Sequence, residues 1–235
     1  MRKSQAVSLI AVFAALHVVL YFVSFGLWRN WAIYLESVEG IVLGPEIGFS
    51  AALLGSGIAR MVKPDVFWMF GVVAEPVGVL MAGLLSRARW KLGLAIYVTM
   101  LSAYFLSPFG RELPLWTILD ILIGLVLIYP AARFSRNLFG GNVKRVTVAL
   151  ILISFVCTVT DSLVRVFLLV PCGFYTLFPS FFSGFNALLD IFVAAAVDSY
   201  IEDLLVVFVS LIVGVPLVVA VLKLTHKGKD GKSMP

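Results

Sequence analysis

Five acidic residues lie within or beside long apolar stretches of this chain. If those stretches cross a membrane, a charge at a helix centre costs about 2.5 to 3.5 kcal/mol, so such residues usually have partners and often have roles. A carboxylate there can bind a substrate, carry a proton or pair with a cation. The five candidates are Glu46, Glu75, Asp120, Asp161 and Asp190.

Asp161 has a basic partner at helical spacing. Arg165 follows it by four residues, which places both side chains on one face of a helix, where they can pair. One interpretation is a self-neutralised pair that lets the helix enter a bilayer. The other is that Asp161 orients the Arg165 guanidinium toward a carboxylate or phosphate of a substrate. We place both residues in the predicted substrate site and leave the two interpretations open.

Glu46 and Glu75 each lie beside a proline, in Gly44-Pro45-Glu46 and in Glu75-Pro76. Proline removes a helical donor and disfavours helix in the residue before it, so the backbone can break there and line a cavity. A carboxylate at such a break either caps the N–H groups of a helix start or contacts a ligand. Both residues are therefore candidates for the substrate site.

Further candidates lie between or near the ends of the apolar stretches. Asn186 and Asp190 precede the last stretch, where they either contact a substrate or are solvated. Trp31 and Tyr104 are aromatic residues near such ends, where most rings anchor in lipid headgroups and a minority stack on a flat ring of a ligand. All four are predicted to bind substrate. Other aromatic residues cluster further along, namely Phe174, Tyr175, Phe178, Phe181 and Phe182.

Signatures of enzymes and of metal sites are missing from the sequence. Two cysteines without a C-x-x-C pair and two histidines are too few for a zinc or iron site. Neither a G-x-S-x-G nor an H-E-x-x-H motif occurs. We therefore predict a protein that is not an enzyme and that uses no cofactor and no metal.

The composition indicates the kind of secondary structure that holds these candidate residues in place. Of 235 residues, 61% are hydrophobic and only 13% are charged, against roughly 25% charged in a soluble domain. Exposed apolar area on this scale would aggregate in water, which excludes the soluble and nucleic-acid-binding classes. We predict an all-α integral membrane protein with a single polytopic transmembrane domain over residues 1–224 and a basic cytoplasmic tail over 225–235.

The predicted fold is a bundle of six transmembrane helices. A helix needs about 20 apolar residues to span a bilayer, and the segment near 66–86 is expected to be re-entrant or broken at Glu75-Pro76. The alternative is seven spans. Because Lys and Arg concentrate on the cytoplasmic side, the six-span arrangement puts both termini and most cations, Arg60 and Lys63 included, on the cytoplasmic side of the plasma membrane.

Three stretches rich in small residues occupy the first half of the chain. They are Ala11-Val12-Phe13-Ala14-Ala15-Leu16-His17, Ile41-Val42-Leu43-Gly44-Pro45-Glu46-Ile47-Gly48 running into Ala51-Ala52-Leu53-Leu54-Gly55, and the glycine-spaced stretch from Gly71 to Gly83. These stretches resemble the substrate-binding (S) components of energy-coupling factor (ECF) transporters. The second half of the chain shows no such likeness.

The resemblance implies a six-helix bundle that captures a small-molecule, vitamin-like substrate near the outer face and topples in the lipid to release it inward. It implies a transmembrane coupling subunit and two ATPase subunits as partners. In that family an A-x-x-x-A motif on the first helix packs against the coupling subunit, and Ala11 with Ala15 match it. The alternative function is a self-sufficient, proton-coupled secondary transporter of a small organic solute, with Glu46, Glu75 or Asp161 as the proton site.

Overall fold

The computed structural model describes residues 3–23, 31–136, 138 and 143–221, and the regular elements in those ranges are all helical. Within those ranges, five helices are long and apolar enough to cross a membrane, and a further apolar helix is shorter, with 17 residues. The chain is therefore an all-α protein of the multi-pass membrane type. The five long helices are Lys3–Phe22, Trp68–Ser86, Leu115–Ser135, Val143–Leu169 and Phe185–Val221.

The two most buried of the long helices, α4 and α8, pack against each other at the centre of the bundle. The last helix, α9, continues through a π-helical turn at Ser210–Gly214. Short 3-10 turns lie at Leu115–Ile118 and Phe174–Leu177. The described helices are α1 (Lys3–Phe22), α2 (Ile33–Leu43), α3 (Pro45–Val62), α4 (Trp68–Ser86), α5 (Trp90–Leu106), α6 (Pro108–Glu112), α7 (Leu119–Ser135), α8 (Val143–Leu169) and α9 (Phe185–Val209).

Helices α1 and α3 run side by side in the same direction, so their C-terminal ends lie at the same end of the bundle. The Tyr21 hydroxyl, near the end of α1, donates a hydrogen bond of 3.1 Å to the backbone oxygen of Lys63, just past the end of α3. Helix α4 runs opposite to both, because Gly83 near its end packs against Pro45 at the start of α3. The ends of α1 and α3 therefore meet the start of α4.

The two ends of the bundle differ in composition. The aromatic end contains the ends of α1, α3, α5 and α8 and a cluster of phenylalanine rings. The basic end contains the starts of those helices together with the ends of α4 and α7. Most described cations lie at the basic end, namely Lys3, Arg87, Arg89, Lys91, Arg133, Arg136, Lys144 and Arg145.

The apolar segment over 40–62 does not form one helix. Helix α2 ends at Leu43, Gly44 has φ +83°, and α3 begins at Pro45. Glycine adopts that left-handed φ without strain, and proline is favoured at the first helical position, where its missing N–H has no partner to lose. The chain therefore turns back at Gly44, and α2 and α3 form a hairpin.

The hairpin enters the bundle from the aromatic end and returns to it. Its open end lies there, because the backbone N–H of Trp31, just before α2, donates a hydrogen bond of 3.2 Å to Val23, just after α1. Glycines allow α2 and α3 to pack closely, because even a Cβ added at Gly48 would lie only 3.4 Å from the Cα of Gly40. The tip of the hairpin consequently reaches the basic end beside the last turn of α4.

The hairpin corrects the prediction for two cations. Arg60 and Lys63 are expected with the other cytoplasmic cations, but they lie at the end of α3, which is at the aromatic end. The physical reason is the turn at Gly44, which returns the chain to the side from which it came. Arg60 is also buried rather than exposed.

The prediction of a re-entrant or broken segment near 66–86 is wrong. Helix α4 is continuous over 19 residues, with Pro76 inside it. A proline within a membrane helix removes one backbone hydrogen bond, and neighbouring helices make that loss tolerable by packing closely. Ala74, Gly78 and Ala82 provide a buried row of small residues for this packing. Helix α4 therefore continues without a break through Glu75-Pro76.

Candidate functional site

Six ionisable side chains from five helices meet in the core, and we call them the ionic cluster. Five of them are more than nine-tenths buried, while Arg165 keeps 28% of its side chain exposed. Charges at such burial are costly unless they are paired and hydrogen-bonded. The members are His17 on α1, Glu39 on α2, Arg60 on α3, Glu75 on α4, and Asp161 and Arg165 on α8.

Glu75 is the centre of the ionic cluster. Arg60 donates two hydrogen bonds to it, from Nη1 to Oε2 at 3.0 Å and from Nη2 to Oε1 at 2.5 Å. The Nε2 atom of His17 lies 3.0 Å from Oε2, and Nη2 of Arg165 lies 3.8 Å from Oε1. Gly71 makes this possible, because a Cβ there would overlap the Arg60 guanidinium. One carboxylate thus ties α4 to α1, α3 and α8.

Arg165 and Asp161 form the ion pair that their spacing predicts. Arg165 donates from Nε to Oδ2 at 2.7 Å and from Nη2 to Oδ1 at 3.2 Å, a bidentate geometry that fixes the plane of the guanidinium. Asp161 is fully buried, whereas Arg165 is partly exposed. The result is an oriented cation whose Nη1 edge takes no part in the pairing.

His17 and Glu39 complete the ionic cluster beside α1, and neither was a sequence candidate. The Nδ1 atom of His17 lies 3.4 Å from Oε2 of Glu39. Gly55 leaves room for the ring, because a Cβ there would lie 2.6 Å from the Cβ of His17. The available signal was helical spacing: Ala14, His17 and Tyr21 share the buried face of α1. That face marks His17 as a core residue.

A group of phenylalanine rings, which we call the phenylalanine cap, covers the aromatic end of α4. The closest two rings, Phe67 and Phe178, have centroids 5.1 Å apart. Phe70 is five residues before Glu75 on α4, about 7.5 Å along the helix axis, so the cap lies near the ionic cluster. Its members are Phe67, Phe70, Phe174, Phe178, Phe181 and Phe182.

Four other predicted site residues lie elsewhere. Tyr104 is buried against a phenylalanine of α9, with centroids 6.5 Å apart. Trp31 packs on Tyr34, with centroids 5.5 Å apart, in a separate apolar group. Asn186 and Asp190 are exposed in the first turns of α9. The contacts that the structure describes for these four residues do not involve the ionic cluster.

Two of the five acidic candidates also lie outside the ionic cluster. Glu46 is exposed in the first turn of α3 at the basic end, about 21 Å from Arg60 along the helix. Its position suits the positive end of a helix dipole. Asp120 is buried at the start of α7, where it accepts hydrogen bonds from the backbone of Ile121 at 2.8 Å and from the Ser199 hydroxyl at 2.7 Å. It therefore joins α7 to α9.

Among the described residues, no group of three or more His, Cys, Asp and Glu side chains is placed to hold a metal ion. Cys157 is buried, Cys172 is exposed, and both are free thiols. The ionic cluster therefore offers a ligand ion pairs and hydrogen bonds, and the phenylalanine cap offers ring contacts.

Comparison with known proteins gives a partial likeness to one protein of unknown activity. No family model matches the chain, and no solved structure matches it. A protein of Methanocaldococcus jannaschii that is described as uncharacterized is 29% identical over 131 residues. The matched region is 55% of this chain and 44% of that protein, so the chain spans less than half of its relative's length. The likeness brings no activity with it.

Proposed function

We propose that the protein is a membrane-embedded substrate-binding subunit for a small, vitamin-like micronutrient. It would work in ATP-driven uptake with separate coupling and ATPase subunits. The observation that carries the proposal is the Arg165–Asp161 pair near the phenylalanine cap. A partly exposed guanidinium held by a buried carboxylate suits an anionic group, and phenylalanine rings suit a flat ring. The expected substrate therefore combines a carboxylate or phosphate with an aromatic ring.

The directions of the helices support an arrangement with six crossings. Helices α1, α4, α5, α7, α8 and α9 run alternately between the two ends, and the α2–α3 hairpin is inserted between the first two. Because Lys and Arg are retained on the cytoplasmic side, we place the basic end and both termini in the cytoplasm. The phenylalanine cap and Arg165 then face the outside of the plasma membrane, where a nutrient arrives.

The outward face of α1 supports the presence of a membrane partner. Ala14, His17 and Tyr21 are its buried residues, whereas Ala11 and Ala15 are exposed. In lipid, helices associate where small residues let their backbones approach closely. We therefore expect a helix of the coupling subunit to dock over Ala11 and Ala15.

Ligand binding by the purified protein tests the proposal. Native mass spectrometry of gently purified protein identifies any molecule that co-purifies, and a thermal-shift panel of anionic vitamins finds the compound that stabilises it. Arg165→Ala should weaken binding by about 30-fold or more, because removing one partner of a hydrogen-bonded charge pair costs about 2–5 kcal/mol. Arg165→Lys keeps the charge but loses the planar fork, so its affinity should be intermediate.

Arg111→Ala is the matched control for this experiment. Arg111 is an exposed arginine at the same end, where its Nη2 donates to the backbone oxygen of Leu106 at 2.8 Å. Its removal should leave affinity unchanged. Equal affinity in wild type and Arg165→Ala would exclude the pair from the site. The absence of any bound molecule and of any stabilising compound would contradict the subunit proposal.

The interrupted α2–α3 pair favours a second candidate, a self-sufficient proton-coupled secondary transporter of a small organic solute. Helices broken at membrane depth often form the substrate and ion sites of such transporters, and Glu75 faces this hairpin through Arg60. The two candidates differ in what they require. Uptake into liposomes that contain this protein alone, driven by a proton gradient and abolished by an uncoupler, would favour the second candidate over the first.

A further inference from the structure

The charges of the ionic cluster divide into pairs. Arg60 is neutralised by Glu75 through two hydrogen bonds, and Arg165 by its neighbour on α8. His17 lies between two carboxylates, with Nε2 3.0 Å from Oε2 of Glu75 and Nδ1 3.4 Å from Oε2 of Glu39. Because Arg60 already balances the charge of Glu75, the charge left to balance His17 is that of Glu39. An uncompensated charge in a low-dielectric core is costly. The six members of the ionic cluster sum to zero charge only if this last pair holds one proton, which the two groups share as a coupled unit.

The other groups around this pair have partners of their own. The Tyr21 hydroxyl donates to Lys63 and Asp65 at the end of the bundle, both at 3.1 Å. Glu36, one turn before Glu39, faces α4, where a Cβ at Gly78 would lie 3.0 Å from its Oε2, and it has an interaction of its own. Of the charged and titratable groups around the pair, Glu75 contacts His17 directly. The others are Tyr21, Glu36, Arg60, Asp65, Cys157, Asp161 and Arg165.

A crevice of about 30 Å³ lies beside the pair, between α1, α2 and the last part of α9. Its described lining is apolar, with Leu16, Leu35 and Leu217, except for His17 and Glu39. That volume holds about one water molecule. The second carboxylate oxygen of Glu39, Oε1, is buried and accepts no hydrogen bond from the described residues. Because its other lining side chains are apolar, the crevice suits a proton and a water molecule better than a metal cation, which needs several oxygen ligands.

We propose that His17 and Glu39 form a proton-binding site that holds one exchangeable proton within the membrane. On release, an N–H proton of the His17 imidazolium passes to a water molecule in the crevice and leaves a neutral imidazole beside the Glu39 carboxylate. Uptake reverses this step. The proposal does not depend on the transport function, because such a site would bind a proton whichever solute the protein carries.

The proton also determines how α1 is held. In the protonated pair, His17 is a cation between Glu39 on α2 and Glu75 on α4. After release, the ring is neutral and one negative charge remains uncompensated in the core. Release should therefore weaken the hold of α1 on the hairpin and on α4, unless another positive charge enters the ionic cluster at the same time. This links a proton to the movement of the helix that carries Ala11 and Ala15.

Nitrogen-15 NMR of the histidines tests the site directly. The chain has two histidines, His17 and His226, so full-length His226→Gln protein labelled with ¹⁵N-histidine reports His17 alone. In lipid nanodiscs we expect an imidazolium signal at neutral pH that converts to the neutral form as pH rises. Glu39→Gln should reduce the proton affinity of His17 at least about tenfold, because one of its two carboxylates is lost.

Glu46→Gln is the control, since Glu46 is exposed at the basic end, and it should leave the titration unchanged. Glu39→Asp keeps the acid and should stay within about threefold of wild type, which provides a second variant if Glu39→Gln does not fold. A His17 ring that is neutral at every pH at which the wild type is folded would overturn the proposal. Identical His17 titrations in the Glu39 and Glu46 variants would overturn it as well.

Discussion

Glu46 and Glu75 both lie next to a proline in apolar sequence. The chain nevertheless reverses direction just before Glu46, whereas α4 continues without a break through Glu75. At the first site Pro45 follows Gly44, whose φ of +83° reverses the chain, and α3 begins there. At the second site Pro76 lies inside α4. Pro45 thus begins a new helix after the glycine that reverses the chain, whereas Pro76 is accommodated inside α4, where small residues let neighbouring helices pack closely.

The two carboxylates consequently have different environments. Glu46 is exposed in the first turn of α3 at the basic end, whereas Glu75 is 1% exposed and contacts Arg60, Arg165 and His17. The same side chain beside the same residue type is a helix-start residue in one place and the centre of a buried ion network in the other. The surrounding helices, and not the local motif, determine the role.

Removal of Glu75 should give the largest effect on stability. Glu75→Ala leaves the Arg60 guanidinium buried without its carboxylate, which should cost about 3–5 kcal/mol of unfolding free energy. Glu46→Ala, the matched variant, should change it by less than about 1 kcal/mol. Denaturant unfolding in detergent, followed by tryptophan fluorescence, measures both. Equal losses would mean that the two carboxylates do not differ in their pairing.

A smaller effect should come from the contact between the hairpin tip and α4. A Cβ at Gly83 would lie 2.5 Å from the backbone of Pro45, whereas a Cβ at Gly57 would meet no atom within 4 Å. Gly83→Ala should therefore destabilise the protein by about 1–3 kcal/mol through overpacking. Gly57→Ala should be neutral or stabilise it by a few tenths of a kcal/mol. A stable Gly83→Ala protein would contradict the turn at Gly44.

Parts of this fold can be predicted from the sequence, because apolar length and composition are local properties. They indicate an all-α membrane protein, and the spacing of Asp161 and Arg165 indicates their pair. The hairpin is harder to predict, because the break depends on the backbone of one residue, Gly44, and on what packs against it. The sequence does not distinguish the proline after Gly44 from the proline inside α4. For that reason a break is expected at Glu75-Pro76 as well.

The membership of the ionic cluster is also hard to predict. Arg60 lies three residues before Lys63, near the predicted end of a membrane segment, so the sequence suggests an exposed position. Arg60 reaches Glu75 because α3 returns to the aromatic end. His17 and Glu39 are separated by 22 positions and meet through the packing of α1 on the hairpin. Contacts of this kind depend on tertiary structure, because spacing within one helix can mark His17 as a core residue but does not identify its partner.

Within the ionic cluster, the Arg165 side and the His17 side should have separate roles. Arg165 is the partly exposed cation near the phenylalanine cap, and His17 with Glu39 lies beside a crevice with room for about one water molecule. The first side suits an anionic solute and the second suits a proton. We therefore expect the solute to bind on the Arg165 side of the ionic cluster and the proton on the His17 side.

Calorimetry of two variants in the same detergent tests this separation of the two sides. It compares how much solute affinity each variant loses. Arg165→Ala should lose about 30-fold or more in affinity, because an anionic group of the solute would lose its guanidinium partner. Glu39→Gln should stay within about threefold of wild type at neutral pH, because Glu39 lies on the proton side. Equal losses in the two variants, or a larger loss in Glu39→Gln, would contradict the division of the ionic cluster into a solute side and a proton side.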